Sequence, residues 1–171
     1  MESIIIRLLE EKDVRAIAHD FSRFEYPKNE DMFASYWFEH QEGSRVVWVA
    51  YDTEKNLYVG YVTLVWHSKY QSFADAGIPE IKDLNVVPQY RKQGIGTLLL
   101  GAAETEAFKR SRQVGIGVGL PWDYGSAQRL YVKRGYIPDG KGVTDYYQHL
   151  EYGRRILVDN LTLFLTKKKV D

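Results

Sequence analysis

Residues Glu80–Gly101 read EIKDLNVVPQYRKQGIGTLLLG, and the reading of this stretch decides the fold. Glu80 to Val87 is apolar enough for a mostly buried strand. Pro88 ends it, because proline has no amide hydrogen to give a strand ladder. Arg91-Lys92-Gln93-Gly94-Ile95-Gly96 follows as a basic turn containing two glycines. Ile95, Leu98, Leu99, Ala102 and Ala103 then recur at i, i+3, i+4, i+7 and i+8, which is one face of a helix. The order is strand, tight turn, helix.

Such a turn suits an anion. The first amides of a helix have no partner inside it, and the helix dipole adds partial positive charge there. Gly94 and Gly96 carry no Cβ, so a bulky anion can come close to the backbone. Arg91 and Lys92 bring formal positive charge, and a diphosphate fits the arrangement. The turn lacks the third glycine of a dinucleotide fingerprint and the Gly-Lys-Ser/Thr of a triphosphate loop.

The full string is rarer than its parts. Leu84, Val86, Pro88, Tyr90, Arg91, Gly94 and Gly96 spell L-x-V-x-P-x-Y-R-x-x-G-x-G. This closely resembles the acetyl-coenzyme A signature of the GNAT superfamily of N-acetyltransferases. A second segment, Ala127-x-x-Leu130-Tyr131-x-x-x-Gly135-Tyr136, resembles that family's A-x-x-L-Y-x-x-x-G-F motif, with Tyr136 for the phenylalanine. The asparagine common three residues before the alanine is replaced by Tyr124.

The resemblance implies a fold, a cofactor and a set of roles. The fold is α/β (α+β): a mixed, mostly antiparallel sheet of six to seven strands, helices on both faces, splayed between the fourth and fifth strands. Acetyl-CoA is the implied cofactor. Arg91, Lys92, Gln93, Gly94, Ile95, Gly96 and Thr97 would hold its pyrophosphate, and the backbone of Asn85, Val86 and Val87 would pair with its pantetheine arm. Ser126 and Gln128 stand in for the missing asparagine, beside Tyr131.

Length and composition agree with one enzyme domain. The 171 residues are 44% hydrophobic and 27% charged, enough for one domain with a real core over 1–171. Lys plus Arg equals Asp plus Glu at 23, which argues against a nucleic-acid partner. With no cysteine, disulfides, thiolate metal sites and a cysteine nucleophile are excluded. The four histidines show no metal spacing, there is no G-x-S-x-G elbow, and no metal is expected. Ile4 to Ile6 is too short for a secretory signal, and no apolar run approaches the ~20 residues that span a bilayer, so a cytoplasmic protein away from membranes is expected.

The remaining elements fall in order. Ile4 to Leu8 reads as a strand; Glu10 to Asp13 opens a helix with Val14, Ile17, Ala18 and Phe21 inward; Glu30 to Glu39 is a second helix. Arg45 to Tyr51 and Leu57 to Trp66 form a hairpin, the order the family shows before its cofactor strand. His67 to Pro79 reads as a polar loop. Val114 to Leu120 is a strand in which Gly115, Gly117 and Gly119 alternate, from close packing or from backbone exposure to a ligand, with packing favoured. Ser126 to Arg134 is a short helix with Ser126 as N-cap. Tyr136 opens a sixth strand, Pro138 to Gly153 reads as a loop, and Leu161 to Thr166 is the last strand.

Acetyl transfer to an amine needs positioning, a base and an acid for the departing thiolate. Tyr131 is the acid candidate by its place in the motif; an ordinary phenol, with pKa of about 10, is protonated at neutral pH. The competing reading is a packed structural tyrosine. Glu80 is the base candidate at the start of the cofactor strand, against a merely solvated strand end. Asp83 falls on the opposite face by strand alternation. Trp48, Trp66, Glu80, Tyr124, Tyr146 and Tyr147 are candidates for the acceptor site. Their aromatic character suggests a small-molecule amine over a protein. The alternatives are a non-catalytic acyl-CoA-binding module with the same fold, and a nucleotide-phosphate binder. Homodimers are common in the family, and this sequence does not decide the point.

Overall fold

In the computed structural model, which describes residues 3–153 and 155–170, the opening stretch folds as strand, 3₁₀ turn and helix. The strand, β4, spans Glu80–Val86, and Pro88 opens the 3₁₀ turn Pro88–Tyr90. The helix, α4, spans Ile95–Arg110. Its buried stripe is Ile95, Leu99, Ala103 and Ala107, with Leu100 and Glu104 beside it. Leu98 was expected inward but is 45% exposed, because the inner ridge follows steps of four.

The chain forms two compact units, 1–65 with 81–106, and 66–80 with 107–171. The first holds β1 (Ile4–Leu8), α1 (Asp13–Arg23), α2 (Glu30–Gln41), β2 (Arg45–Asp52) and β3 (Leu57–Val65), with β4 from Ile81 and most of α4. Its strands run in the order β1-β2-β3-β4. β1 to β2 and β2 to β3 are antiparallel, with Trp48 opposite both Leu8 and Val62. Ile17, Phe21, Phe33, Val47, Val49, Val59 and Leu64 are fully buried, and the Phe33 ring meets Tyr61 edge-on at 5.0 Å. Asn29 caps α2 by accepting the Asp31 amide at 2.8 Å, a signal the sequence carried and the boundary reading passed over.

The acidic residues of α1 turn inward. Asp13 is fully buried and accepts from Arg7 at 2.5 and 2.8 Å, from the Glu10 amide and from Tyr58. Burial pushes its carboxyl up, but the bonds from Arg7, Tyr58 and the Glu10 amide outweigh that and leave it below the ordinary carboxylate value. Asp13→Ala should remove about 3 kcal/mol in urea unfolding, because Arg7 loses a buried counter-charge. The depressed carboxyl stabilises above its unfolded value of about 3.9 and stops doing so as pH falls through its folded value. Wild-type stability should therefore drop in acid, and the variant should lose that part of the drop.

The second unit holds α3 (Gln71–Ala76), β5 (Gln113–Gly119), α5 (Gly125–Lys133), β6 (Ile137–Asp145), β7 (Gln148–His149) and β8 (Leu161–Lys168). Its strands run in the order β5-β8-β6-β7, antiparallel at each pairing. The fold is thus mixed α/β with mostly antiparallel strands, as expected. Among the described residues eight strands are formed against the six to seven expected, the short β7 among them. Two stretches read as loops are structured. His67–Pro79 contains α3, and Pro138–Gly153 contains all but the first residue of β6, and β7.

Phe73 explains the glycine strand. A Cβ at Gly115 would stand 2.1 Å from the Phe73 ring, so the bare backbone is where α3 docks. Tyr70, Phe73, Ile78 and Phe164 then form one buried cluster, with Tyr70 stacked on Phe164 at 3.8 Å. Packing, and not an open ligand surface, is what Gly115 serves.

Candidate acyl-coenzyme A site

The turn is built from the end of β4. Gly94 has φ +86°, a left-handed conformation that side chains with a Cβ rarely adopt, and Lys92 has φ +60°. The amide of Leu98 bonds the Gly94 carbonyl at 3.1 Å. The amides before it lie in the first helical turn, where no intrahelical carbonyl reaches them. Arg91, Lys92, Gln93, Gly94 and Thr97 are exposed, Gly96 is half-buried and Ile95 is buried as the anchor.

Arg91 ties the turn to the strand. Its Nε donates to the Val86 carbonyl at 2.9 Å, and its guanidinium lies 5.2 Å from the Tyr26 ring centre. The charge is therefore held beside the turn and does not sweep through solvent. Gln93 Nε2 donates to the Gln89 carbonyl at 3.1 Å. Tyr90, the tyrosine of the signature, is buried, and its hydroxyl donates to Asp52 at 2.8 Å. It anchors the turn from behind. Fixed cation, helix-start amides and a left-handed glycine together fit a diphosphate.

Just past β4, Val87 is buried and its amide bonds the Val59 carbonyl at 2.9 Å. The Asn85 side chain faces its own unit: Oδ1 accepts from Tyr26 at 2.9 Å, and Nδ2 donates to Tyr61 at 3.1 Å. Asn85 can serve a cofactor only through its backbone. Asp83 has φ +53°, so the strand is not extended there. The alternation used to set Asp83 opposite Glu80 lapses at that residue. Glu80 is buried, and its Oε2 accepts from Ser68 at 2.6 Å. A solvated strand end is thus the wrong picture of it.

In the second unit, Tyr131 lies on α5, is buried and sits 6.0 Å from the Tyr136 ring. Ser126 is not the cap expected of it. α5 begins at Gly125 with Tyr124 at the cap position and no side-chain cap bond. Ser126 is exposed inside the first turn. Gln128 Nε2 donates to the Gly119 carbonyl at 2.9 Å, fixing α5 to the end of β5.

The acceptor candidates are dispersed. Trp48 is 7% exposed inside β2, which removes it from solvent. Trp66 carries the Arg110 guanidinium 4.2 Å over its ring. Tyr124 lies over Gly119, where a Cβ would stand 3.0 Å from its ring. Tyr146, exposed with φ +52°, and Tyr147 share the tip between β6 and β7, beside a cavity of about 290 Å³ lined also by Asp145, Gln148 and Asn160. The sequence reading passed over Tyr26, Tyr36 and Tyr61, whose hydroxyls converge on Asp83 and Asn85. They come from separate elements, and no local spacing announces them.

Among the described residues, no group of three or more histidine, aspartate or glutamate side chains is placed to hold a metal ion. No helix among them is long and apolar enough to cross a membrane.

Comparison with known proteins bears on the family and the fold. The Acetyltransferase (GNAT) family profile matches residues 12–136. No curated protein matches the sequence. Among solved structures, yncA from Salmonella typhimurium with its cofactor acetyl-CoA is 17% identical with TM-score 0.69, covering 97% of this chain and 94% of that one. A ribosomal-protein-S5-alanine acetyltransferase from Vibrio fischeri is 14% identical with TM-score 0.71, covering 98% and 94%. A dodecameric spermidine N-acetyltransferase from Vibrio cholerae is 19% identical with TM-score 0.65, covering 98% and 95%. At these identities the structures speak for the fold alone, while the profile spans most of the chain across both signature segments: this chain belongs to the GNAT family of acetyltransferases.

Proposed function

We propose that the chain works as a single N-acetyltransferase domain, moving the acetyl group of acetyl-CoA to a primary amine by direct attack in a ternary complex. The observation that carries this is the turn at Arg91–Gly96, with Gly94 left-handed and Arg91 tied to Val86. Acetyl-CoA supplies an activated thioester. The chain's residues do the rest. The turn holds the diphosphate, and the backbone of Asn85 to Val87 aligns the arm. Tyr131 gives the proton that the departing thiolate takes up. Glu80, buried against Ser68, is assigned to orienting its surroundings, since its contact with water is slight.

A small-molecule amine is the favoured acceptor. Solved relatives include a spermidine acetyltransferase and a ribosomal-protein acetyltransferase, so the fold alone does not choose between acceptor classes. Two measurements test the reading. Calorimetric titration with acetyl-CoA should give tighter binding than ATP or NAD. Thiol release over a panel of primary amines should then find an acceptor. Binding without turnover across the panel would favour a non-catalytic acyl-CoA module, and equal affinity for ATP would end the coenzyme reading.

A further inference from the structure

The link between α1 and α2 brings a second cation toward the turn that carries Arg91. Tyr26 stands in that link, and its ring is fixed from several directions. Its amide bonds the Phe21 carbonyl at 3.1 Å, its hydroxyl donates to Asn85 Oδ1 at 2.9 Å, and its ring stacks on Phe21 at 6.1 Å. The Lys28 ammonium lies 4.5 Å from the centre of that ring, and the Arg91 guanidinium lies 5.2 Å from it. Two cations therefore share one tyrosine, each attracted to its π system. Pro27 precedes Lys28, and Asn29, the cap of α2, follows it. The lysine is set between a residue of fixed φ and a helix start, and it is half-buried.

These two charges are uncompensated. Both lie over one ring, so they stand within about 10 Å of each other, a separation that 0.1 M salt screens only in part. Among the described residues neither forms an ion pair. Glu25, next to Tyr26, and Asp83, on β4, pair with neither. Lys92, exposed beside Arg91 in the chain, adds further positive charge. Arg91 spends Nε on the Val86 carbonyl, which leaves Nη1 and Nη2 to donate. The Lys28 ammonium is held by a ring and not by an oxygen, so it keeps its N–H donors. Like charges held this close call for a multivalent anion. A diphosphate has two joined phosphoryl groups, each with one negative charge at neutral pH, and offers oxygens to both cations.

We propose that Lys28 is a second cation of the diphosphate site, reaching the coenzyme from the α1–α2 link while Arg91 and its turn hold it from the end of β4. This rests on the coenzyme reading above and adds to it a residue from a different element. The link between α1 and α2 thereby becomes part of the coenzyme site, although it shares no sequence segment with the turn.

Calorimetric titration of the full chain and two variants is the test. Lys28→Gln removes the charge and keeps a polar side chain; Lys28→Arg puts a cation back. Coenzyme A and 3′-dephospho-coenzyme A are the probes, since both carry the diphosphate and only the first carries the ribose 3′-phosphate. At about 50 mM salt, Lys28→Gln should bind both probes about tenfold more weakly than wild type, the loss expected of one charge-assisted bond. The difference should shrink at about 500 mM salt, where screening weakens exposed charges. Lys28→Arg should recover most of the loss. Equal affinity of wild type and Lys28→Gln would overturn the proposal. A loss seen with coenzyme A and absent with the dephospho form would overturn it too, by moving Lys28 to the 3′-phosphate. So would a loss that neither salt nor Lys28→Arg changes, which marks a distorted link and not a missing charge. Failure of the underlying coenzyme reading would look different: wild type itself would bind neither probe.

Discussion

A Gly94→Val protein is expected to fold and to bind acetyl-CoA about 100-fold more weakly than wild type, a loss of about 2.7 kcal/mol. The glycine sits at φ +86° at the mouth of α4. A β-branched residue there meets a backbone penalty of roughly 1–2 kcal/mol, which the turn relieves by moving. Movement re-aims the helix-start amides that would face the diphosphate, and the valine methyls occupy the space of close approach. The site is exposed, so the core need not change. Calorimetry gives the affinity and thermal unfolding verifies the fold. Unchanged affinity in a folded variant would remove the turn from cofactor binding.

Tyr131→Phe is expected to lower kcat about 100-fold while leaving the affinity for acetyl-CoA within twofold. The side chain is buried beside Tyr136, so the ring can keep its packing when the oxygen is removed. What is lost is a proton for the departing sulfur. A drop in kcat and kcat/KM together, with binding unchanged, marks an interaction made in the transition state. Wild-type turnover by the variant would reduce Tyr131 to a packed structural residue.

The turn proposed to hold the coenzyme was legible because its shape is set locally. Pro88, Arg91, Gly94 and Gly96 act through backbone shape and adjacent charge, and both follow from residue order. The hairpin Arg45–Val65 was legible for the same reason, as two β-rich runs around a polar bend. The tyrosine cluster around Asp83 and Asn85 was not. Tyr26, Tyr36, Tyr61 and Asp83 lie up to 57 residues apart and meet only after α1, α2, β3 and β4 have packed. Abundant tyrosine gave no means of choosing these from those in the core. The structure also separated residues that composition made alike: Trp48 is sealed in β2, whereas Tyr146 stands exposed at a hairpin tip. Asp13 was read only as part of a helix start, but it is a buried counter-charge to Arg7. Glu80 was read as a base candidate or a solvated strand end; it is buried and accepts a hydrogen bond from Ser68. α3 escaped notice because six residues are too few to display a helical period.

The Tyr90 hydroxyl reaches back to Asp52, at the end of β2 where the chain bends toward Asn56. That tether makes a remote surface bend a mechanical support for the turn proposed to hold the coenzyme. Editing the 52–56 bend would then retune coenzyme retention without touching any atom that meets the coenzyme.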